Sequence, residues 1–573
     1  MITKDAFKAS VVKQDSTWSS IRPFMNADKK SGALGGFLVV TDSEEVVVGT
    51  ITDGDLRKIM EKADSNLDIL SAGEIMNSDF IYVFAGMTPK DMGLQVLEQL
   101  KKREIKNEFP ITYIPVLNRE KKLHSLFHIS NLLGVLDELT RQIVIFGQGF
   151  VGLTLAMAMV KSGLRINAVE KNPEIYMAIR NLRPHVHEPQ LFELLSKYLD
   201  VRYFITNQEL TELKRLPLLG RRTYIIAVGT PKSGQSVDLS QIESAVAEIS
   251  LSLRFGDLVI LRSTVPIGTT RRISEIFREK SGLNAGLDFH IAYAPERTVE
   301  GDAIAEVTKL PQLVSGLTEE CSKEVSNFFS GWISNVVRME SLEACEMAKL
   351  TSNAYRDVTF AFSNELSKIA ATYNLDINRL IISANIGYTR NAIPMPSPGV
   401  GGPCLTKDSY MLVSDKADSM IHKSRLMNEG MIDFSINRIL RLTEKCGDDI
   451  LIIGAAFKGI PATNDLRNST SVEIARGLTN ESKRVQVIDA IASQSDIEIA
   501  ELSIYDDVLF RPNVICILNN HPENRIIFRS VLKQVGKKGL RIGVFDPWNT
   551  LVESDFLNKN ILISTLSKIE VFN

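Results

Sequence analysis

The sequence predicts an α/β protein in which two parallel-sheet domains are joined by a helical region and preceded by a smaller α+β module. Three observations carry this prediction. A chain of 573 residues is too long for one hydrophobic core. Strand-like and helix-like segments alternate over residues 140–338 and again over 441–573, as they do in parallel sheets. Residues 339–440 lie between them and are rich in helix-like sequence.

The composition is that of an ordinary globular protein and argues against several classes of function. Hydrophobic residues make up 44% of the chain and charged residues 24%. The net charge of −3 gives no reason to expect a nucleic acid or an acidic membrane as a partner. No apolar run approaches the roughly 18 residues of a membrane span, and the first residues lack the apolar core of a signal peptide. We therefore expect a cytoplasmic protein.

The cysteines and histidines show no pattern of metal ligands. The five cysteines are scattered, odd in number and free of any Cys-x-x-Cys pair, which indicates reduced thiols. His185 and His187 stand two residues apart, and His521 is isolated. These histidines are more typical of surface or supporting groups, so no metal is expected.

Residues 1–139 contain an internal duplication. A strand over 37–40, a strand from Val46 and a helix at Asp55 are followed by a strand over 111–117, the segment 123–128 and a helix from Ser130. The segment with Thr52 and Asp55 resembles a tandem CBS (Bateman) module, a family in which such a pair holds the phosphate and ribose of an adenine nucleotide. The second copy has His128 and Asn131 there, which implies at most one nucleotide site. The alternative is a module that only mediates association.

A glycine-rich turn between a buried strand and a helix predicts a Rossmann-like dinucleotide site in residues 140–338. The strand over 143–146 leads into Gly147-Gln-Gly149-Phe150-Val151-Gly152. The first glycine permits the tight turn, the second admits the pyrophosphate, and the third lets helix and strand pack closely. The helix N-terminus then offers free N–H groups to phosphate.

Other residues at the carboxyl edge of the same predicted sheet fit this site. Glu170 ends the second strand, where a carboxylate would bind a ribose hydroxyl and favour NAD over NADP, although Lys171 beside it weakens that preference. Two later strands end in small polar residues, namely Thr230, Ser263 and Thr264. The cofactor is therefore expected to be NAD.

The helical region and the loop after it hold the candidate reactive groups. Lys349 and Asn353 are four residues apart and so share a helix face, which by itself is more typical of a solvated pair. Cys404 lies in the glycine-rich loop that begins at Pro398, where a substrate could approach closely. Nearby cations such as Lys407 would favour its thiolate. A cysteine buried behind a tight turn is the equal alternative.

Taken together, these motifs resemble the UDP-glucose/GDP-mannose dehydrogenase family from about residue 140 to the C-terminus. The matching segments, in chain order, are Gly147–Gly152, Gly229–Pro231, Ser263–Pro266, Ala294–Gly301, Lys349 with Asn353, Gly401–Asp408, Phe457–Lys458 and Asp465–Arg467. The resemblance implies two NAD-dependent oxidations of a sugar C6 hydroxyl to a carboxylate. It also implies a homodimer through the central helices, which the extra N-terminal module could extend to a larger assembly.

The resemblance gives each residue an expected role. Cys404 would trap the aldehyde as a thiohemiacetal, Lys349 and Asn353 would stabilise oxyanions, and Asp408 and Glu296 would position water and move protons. Cofactor contacts are expected from Gly147, Gly149, Phe150, Val151, Gly152, Glu170, Thr230, Ser263, Thr264, Lys407 and Arg467. Substrate contacts are expected from Glu300, Gly401 and Lys458. Thr230 is also a candidate for holding the water, and Glu300 for the base.

Details of the motifs point to a substrate within that family. Arg297 replaces the phenylalanine of UDP-glucose enzymes, Pro403 replaces their serine, and the spacing from Lys458 to Arg467 is longer. These features favour UDP-N-acetylmannosamine or UDP-N-acetylglucosamine over UDP-glucose. Ser409 departs from the proline that is frequent in this branch. The alternatives are a UDP-glucose 6-dehydrogenase, a two-electron dehydrogenase, and a nucleotide-sensing protein with an inactive dehydrogenase half.

Overall fold

The computed structural model divides the chain into two compact units. One comprises Met1–Gln142 with Lys214–Arg221, and the other Ile143–Leu213 with Arg222–Asn573. The residues that the structure describes are 10–25, 34, 36–62, 67–102, 113–129, 132, 141–207, 221–233, 236–390, 392–413, 418–535, 541–556 and 560–572.

The first unit contains two three-stranded sheets. The strands of the first sheet are β1 (Val11–Lys13), β2 (Phe37–Thr41) and β3 (Val47–Thr52), and those of the second are β4 (Val83–Phe84), β5 (Tyr113–Leu117) and β6 (Leu123–His128). The helices are α1 (Trp18–Met25), α2 (Asp53–Lys62), α3 (Ala72–Ile75) and α4 (Pro89–Lys102), with a 3₁₀ turn at Leu67–Ile69.

Equivalent contacts in the two sheets confirm the internal duplication. In each sheet the first strand runs parallel to the second, and the second runs antiparallel to the third. Asp42 Oδ1 accepts backbone N–H groups in the β2–β3 turn, and Asn118 Oδ1 does the same in the β5–β6 turn. The helix predicted from Ser130, and with it Asn131, lies outside the described residues.

The second unit begins with an eight-stranded sheet. Its strands are β7 (Gln142–Phe146), β8 (Ile166–Val169), β9 (Tyr203–Thr206), β10 (Arg222–Ile226), β13 (Leu258–Leu261), β14 (His290–Tyr293), β15 (Gln312–Gly316) and β16 (Val336–Arg338), and a small hairpin is formed by β11 (Lys232–Ser233) and β12 (Ser236–Val237). The order is β16-β15-β14-β13-β10-β7-β8-β9. From β9 to β14 this is the strand order of a dinucleotide-binding fold.

Helices cover both faces of this sheet. They are α5 (Phe150–Lys161), α6 (Pro173–Arg180), α7 (Leu191–Tyr198), α8 (Ser240–Ser250), α9 (Thr269–Ser281), α10 (Ala303–Glu306) and α11 (Glu319–Ser330). Alternate residues of β7 enter opposite layers: Ile143 and Ile145 pack in one hydrophobic cluster, and Val144 and Phe146 in the other. A strand that is buried on both faces needs such a continuous apolar run.

Two long helices pack against each other at the centre of the unit. α12 (Leu342–Thr372) begins with a cap in which Ser341 Oγ accepts the Ala344 N–H at 3.1 Å, and α15 (Met420–Cys446) packs against it. Shorter helices α13 (Ile377–Asn385) and α14 (Leu405–Leu412) lie between them in the chain. The buried face of α12 carries polar as well as apolar side chains, which requires partners for them.

The last part of the unit is a six-stranded sheet. Its strands are β17 (Asp449–Ile453), β18 (Arg484–Ile488), β19 (Val514–Ile517), β20 (Ile542–Phe545), β21 (Ile561–Ser564) and β22 (Ile569–Phe572), and its helices are α16 (Thr470–Asn480), α17 (Gln494–Ile499), α18 (Asn524–Gln534) and a 3₁₀ turn at Glu553–Asp555. The order β18-β17-β19-β20-β21-β22 places β17 at a topological switch point, where ligands bind. The α/β prediction with two Rossmann-like sheets is confirmed.

The described ranges contain neither a membrane span nor a metal cluster. No helix there is long and apolar enough to cross a membrane. No group of three or more His, Cys, Asp or Glu side chains in those ranges is arranged to hold a metal ion.

Candidate active site

The glycine-rich turn after β7 has the geometry of a dinucleotide site. Gly147 has φ +83°, and a Cβ there would lie 2.9 Å from Ala227 O. A Cβ on Gly152 would lie 1.9 Å from Gly147 O, so only glycine allows α5 to approach the turn. Gly149 caps α5 without a side-chain hydrogen bond, and no atom lies within 4 Å of its missing Cβ. The space and free N–H groups at Gly149 fit the pyrophosphate of NAD.

Glu170 lies beside this turn, at the end of β8. Its buried carboxylate accepts the Gln148 N–H at 2.6 Å and the Asn172 N–H at 2.8 Å. Lys171 forms an ion pair with Glu248 at 2.8 Å, which engages its charge away from Glu170. The arrangement fits an acceptor for ribose hydroxyls, the role that favours NAD.

Cys404 stands immediately before α14 and is the N-cap of that helix. Its side chain is exposed, whereas the other four cysteines are buried or half-buried, and all five are free. The surrounding protein desolvates the thiol and thereby raises its pKa, to which the charge of Asp408 adds. The charges of Lys349, Lys407 and Arg467 offset this only in part. These three cations do favour the thiolate, as expected, although desolvation and Asp408 outweigh them.

Asp408 connects the elements around Cys404. Its buried carboxylate accepts a hydrogen bond from Asn353 Nδ2 at 2.6 Å and lies 3.3 Å from Lys407 Nζ. Lys407 Nζ also donates to Thr230 Oγ1 at 3.1 Å, and Thr230 Oγ1 donates to Thr264 O at 2.9 Å. This hydrogen-bonded chain joins the carboxyl edge of the first sheet to helix α12.

Lys349 and Asn353 are buried on one face of α12. Their side chains are 8% and 9% exposed. The solvated pair that the spacing alone predicts is therefore wrong. A buried lysine requires nearby negative charge. Glu296 is near enough that the charge of Lys349 helps to lower the pKa of its carboxyl.

Glu296 is held by a buried arginine that sequence reasoning missed. Arg262 Nη2 donates to Glu296 Oε2 at 2.5 Å, and the N–H groups of Arg297 and Thr298 donate to Oε1 at 2.6 Å each. Burial alone would raise the pKa of Glu296, but Arg262 and these hydrogen bonds outweigh it and lower the pKa. Glu296 is thus an ionised, fixed carboxylate. An arginine at the end of the buried run Leu258–Leu261 was the available signal.

Lys458 follows β17 at the switch point of the second sheet. Its Nζ donates to Glu300 O at 2.6 Å, and Glu300 Oε1 accepts a hydrogen bond from Thr463 Oγ1 at 2.7 Å. Gly402 N donates to Asn468 O at 3.0 Å. The cysteine loop and the segment after Lys458 are therefore in direct contact.

A cleft of about 570 Å³ lies between the glycine-rich turn and this segment. Its lining includes Gly149, Phe150, His185, Glu300, Arg467 and Arg476. Arg467 is paired with Asp465 at 2.6 Å, and its side chain is 67% exposed, so the guanidinium remains open to a ligand. Ser263 lies deeper, where its Oγ donates to Val228 O at 2.7 Å.

Two further residues of this cleft region are His185, which the sequence predicted only as a surface or supporting group, and Glu188, to which it gave no role. Burial, with a smaller contribution from Arg467, lowers the pKa of His185 to about 4. Glu188 accepts the N–H groups of Gly301 at 2.5 Å and Ala303 at 3.1 Å, and so fixes the loop that carries Glu300. Their local pattern, His-x-x-Glu in a loop, carries no signal of these long-range contacts.

Thr52 and Asp55, in the other unit, form a capping box at the start of α2. The Thr52 N–H and Oγ1 donate to Asp55 Oδ2 at 2.9 and 2.6 Å, and the Asp55 N–H donates to Thr52 Oγ1 at 3.3 Å. Thr88 and Asp91 form the same pair of contacts before α4. The Thr-x-x-Asp pattern therefore has a local structural use at both helices.

Most of the second unit matches a known protein family. Three models of the UDP-glucose/GDP-mannose dehydrogenase family match consecutive parts of the chain. The NAD-binding domain matches residues 141–333, the central domain residues 343–431, and the UDP-binding domain residues 451–553.

Individual relatives agree with these matches. A UDP-N-acetyl-D-mannosamine dehydrogenase of Yersinia pestis is 31% identical over 58% of this chain and 81% of its own length. The enzyme of that name from Pyrococcus horikoshii is 29% identical over 72% of this chain and 96% of its own length. The solved UDP-D-ManNAc dehydrogenase structure from Pyrococcus horikoshii has a TM-score of 0.64 at 28% identity, covering 72% of this chain and 96% of that one.

Proposed function

The chain belongs to the UDP-glucose/GDP-mannose dehydrogenase family and is an NAD-dependent nucleotide-sugar dehydrogenase, and we propose that it oxidises the C6 hydroxyl of a UDP-N-acetylhexosamine to the carboxylate. The observation that carries the four-electron reaction is the exposed Cys404 beside Asp408, with Asn353 and Lys407 bound to that carboxylate. The N-acetylated sugar is supported by Arg297 and Pro403 and by the names of the relatives.

The reaction balances as two oxidations around one covalent step. Bound NAD supplies the hydride acceptor in each oxidation. The first removes the C6 hydride and the hydroxyl proton and leaves an aldehyde. The Cys404 sulfur then forms a bond to C6 as the C=O π bond breaks, and the thiol proton passes through Asp408 to the C6 oxygen, giving a thiohemiacetal. Loss of the second hydride and of the hydroxyl proton gives a thioester, which water cleaves to the carboxylate and the free thiol.

The charges around Cys404 suit the intermediates of this sequence. A developing oxyanion needs fixed donors, and Lys349 and the second N–H of Asn353 would supply them from helix α12. Asp408 is held by Asn353 and Lys407, so its carboxylate has a fixed position from which to accept a proton. Lys458 and Glu300 would bind the nucleotide end of the substrate at the switch point of the second sheet.

The stoichiometry of NADH tests the reaction, and a panel of sugars tests the substrate. We expect two NADH per sugar consumed, with kcat/KM at least about tenfold higher for UDP-N-acetylmannosamine or UDP-N-acetylglucosamine than for UDP-glucose, because an unfilled N-acetyl pocket forfeits over 1 kcal/mol. One NADH per sugar would contradict the four-electron reaction. A preference for UDP-glucose would contradict the substrate alone.

We also propose a homodimer formed through α12. Tyr355, Phe362 and Ile369 recur every seven residues along this helix and are 68%, 52% and 51% exposed. Such an apolar stripe on one helix face is typical of an interface with a second copy. Phe362→Asp is expected to halve the mass measured by light scattering. Leu509→Asp, at an 84% exposed position of the last sheet domain, is the control. A monomeric wild-type protein would refute the proposal.

We propose, finally, that an adenine nucleotide binds the N-terminal module at Thr52 and Asp55 and alters the rate. Titration calorimetry with AMP, ADP and ATP tests binding directly. Thr52→Val is expected to abolish the binding heat, whereas Thr88→Val, which removes the same kind of cap from α4, should retain it. Absence of binding by the wild-type protein, or equal loss in both variants, would contradict a nucleotide site at Thr52.

A further inference from the structure

The loop that carries Cys404 needs support from outside its own sequence. Residues 392–404 form neither helix nor strand. Gly399 and Gly402 have φ of +152° and +92°, and Gly401 packs where a Cβ would lie 2.5 Å from Asn468 O. Glycine gives the backbone many conformations, so the position of Cys404 must be set by contacts that the rest of the protein makes with this loop.

Side chains of the two long helices make those contacts. Arg425 on α15 donates from Nη2 to Val400 O at 2.9 Å and from Nη1 to Leu405 O at 3.4 Å, so one guanidinium joins the backbone on both sides of Cys404. Asn364 Oδ1 on α12 accepts the Ser397 N–H at 2.8 Å. Ser435 Oγ on α15 donates to Pro398 O at 3.3 Å.

Arg425 is itself fixed by a buried carboxylate. Its Nη1 lies 2.9 Å from Asp357 Oδ1, and the two side chains are 1% and 0% exposed. Asp357 also accepts hydrogen bonds from Ser409 Oγ at 2.9 Å and Asn428 Nδ2 at 2.8 Å. Ser409, the departure from proline in the motif, therefore ties α14 to the same carboxylate.

A buried ion pair of this kind is a poor source of stability, because desolvation of both charges offsets their attraction. A pair of apolar side chains would serve the packing of α12 against α15 at least as well. Apolar side chains cannot hydrogen-bond to backbone carbonyls, whereas the planar guanidinium of Arg425 binds two of them at once. With 1% exposure, Arg425 cannot reach a substrate, so its effect on chemistry must pass through the loop.

We propose that Arg425, fixed by Asp357, is a positioning residue that holds the Val400–Leu405 backbone so that the Cys404 sulfur faces Asp408, Lys349 and Lys407. This inference rests on the proposed role of Cys404 in the oxidation. The clamp sets the distance between the thiol and C6 of the sugar, and a displacement of about 1 Å can cost about a hundredfold in rate.

Arg425→Lys tests the clamp, because lysine keeps the charge for Asp357 but cannot bind both carbonyls. We expect kcat to fall at least about tenfold with KM for both substrates within about twofold. The released thiol moves away from the protein atoms that desolvate it, so alkylation of Cys404 by iodoacetamide, followed by peptide mapping, is expected to become several-fold faster near neutral pH. Arg438→Lys is the matched control. Arg438 is also buried on α15, but its guanidinium bonds to Ser564 Oγ and Lys568 O in the last sheet domain.

The alkylation readout needs no substrate, so it tests the clamp even if no UDP-sugar is oxidised. An alkylation rate within about twofold of wild type overturns the proposal, and so does full turnover in the variant. The double variant Arg425→Met with Asp357→Leu removes both charges, so no unpaired charge is left buried that could unfold the protein. It should show the same two changes. If both variants fail to fold while Arg438→Lys folds, Arg425 serves stability alone and the proposal is refuted.

Discussion

Cys404→Ala is expected to abolish formation of the uronic acid, lowering its rate by about a thousandfold or more. Cys404 is the exposed thiol at the start of α14, and the other four cysteines are buried or half-buried and cannot replace it. Without the sulfur, the aldehyde has no covalent attachment and the second oxidation loses its thiohemiacetal substrate. The measurements are the initial rate of NADH formation and mass spectrometry of the product.

The controls for this variant separate chemistry from folding. Cys446→Ala changes a half-buried cysteine at the end of α15 and should retain full activity. The Cys404→Ala protein should still bind NAD, because the glycine-rich turn is unaffected. Undiminished acid formation by Cys404→Ala would refute the covalent mechanism, and accumulation of a trappable aldehyde would support it.

Asp408→Asn and Lys349→Met are expected to move the pKa of Cys404 in opposite directions while both lower turnover. The negative charge of Asp408 raises the pKa of the thiol, so its removal lowers that pKa and increases the thiolate fraction at neutral pH. Lys349 lowers the pKa, so its removal raises it further. Alkylation of Cys404 should therefore be faster in the first variant and slower in the second.

Turnover should not follow the reactivity of the thiol. Asp408→Asn removes the proton acceptor, which is worth about a hundredfold or more, and Lys349→Met removes an oxyanion donor of similar weight. The measurement is the pH profile of alkylation beside that of kcat. If Asp408→Asn slows alkylation at neutral pH, or leaves turnover intact, then Asp408 does not act on this thiol as described. Glu320→Gln, on the surface helix α11, is the control: it also removes one carboxylate, and it should change neither alkylation nor turnover.

The sequence was informative wherever a role depends on the local backbone. Gly147, Gly149 and Gly152 could be assigned because a tight turn, a phosphate approach and close helix packing each require the absence of a Cβ. The strands were predictable for a related reason, since a doubly covered strand such as β7 is apolar along its whole length. These requirements are satisfied within a few residues of chain.

Contacts between distant parts of the chain could not be predicted in the same way. Arg262 with Glu296, and Arg425 with Asp357, join residues separated by dozens of positions, and nothing in either local pattern specifies the partner. The net direction of the pKa of Cys404 could not be predicted for the same reason. Counting nearby cations in the sequence omits the burial that opposes ionisation, and burial is a property of the whole fold.

The Lys407 bridge between Thr230 and Asp408 has a consequence for the order of events in catalysis. Four-electron oxidation requires the spent cofactor to be exchanged while the sugar stays in place. One ammonium group contacts both the edge of the cofactor domain and the carboxylate next to the nucleophile. Under the mechanism proposed above, a movement of Thr230 during exchange of the cofactor would therefore reach the same carboxylate that serves the covalent step.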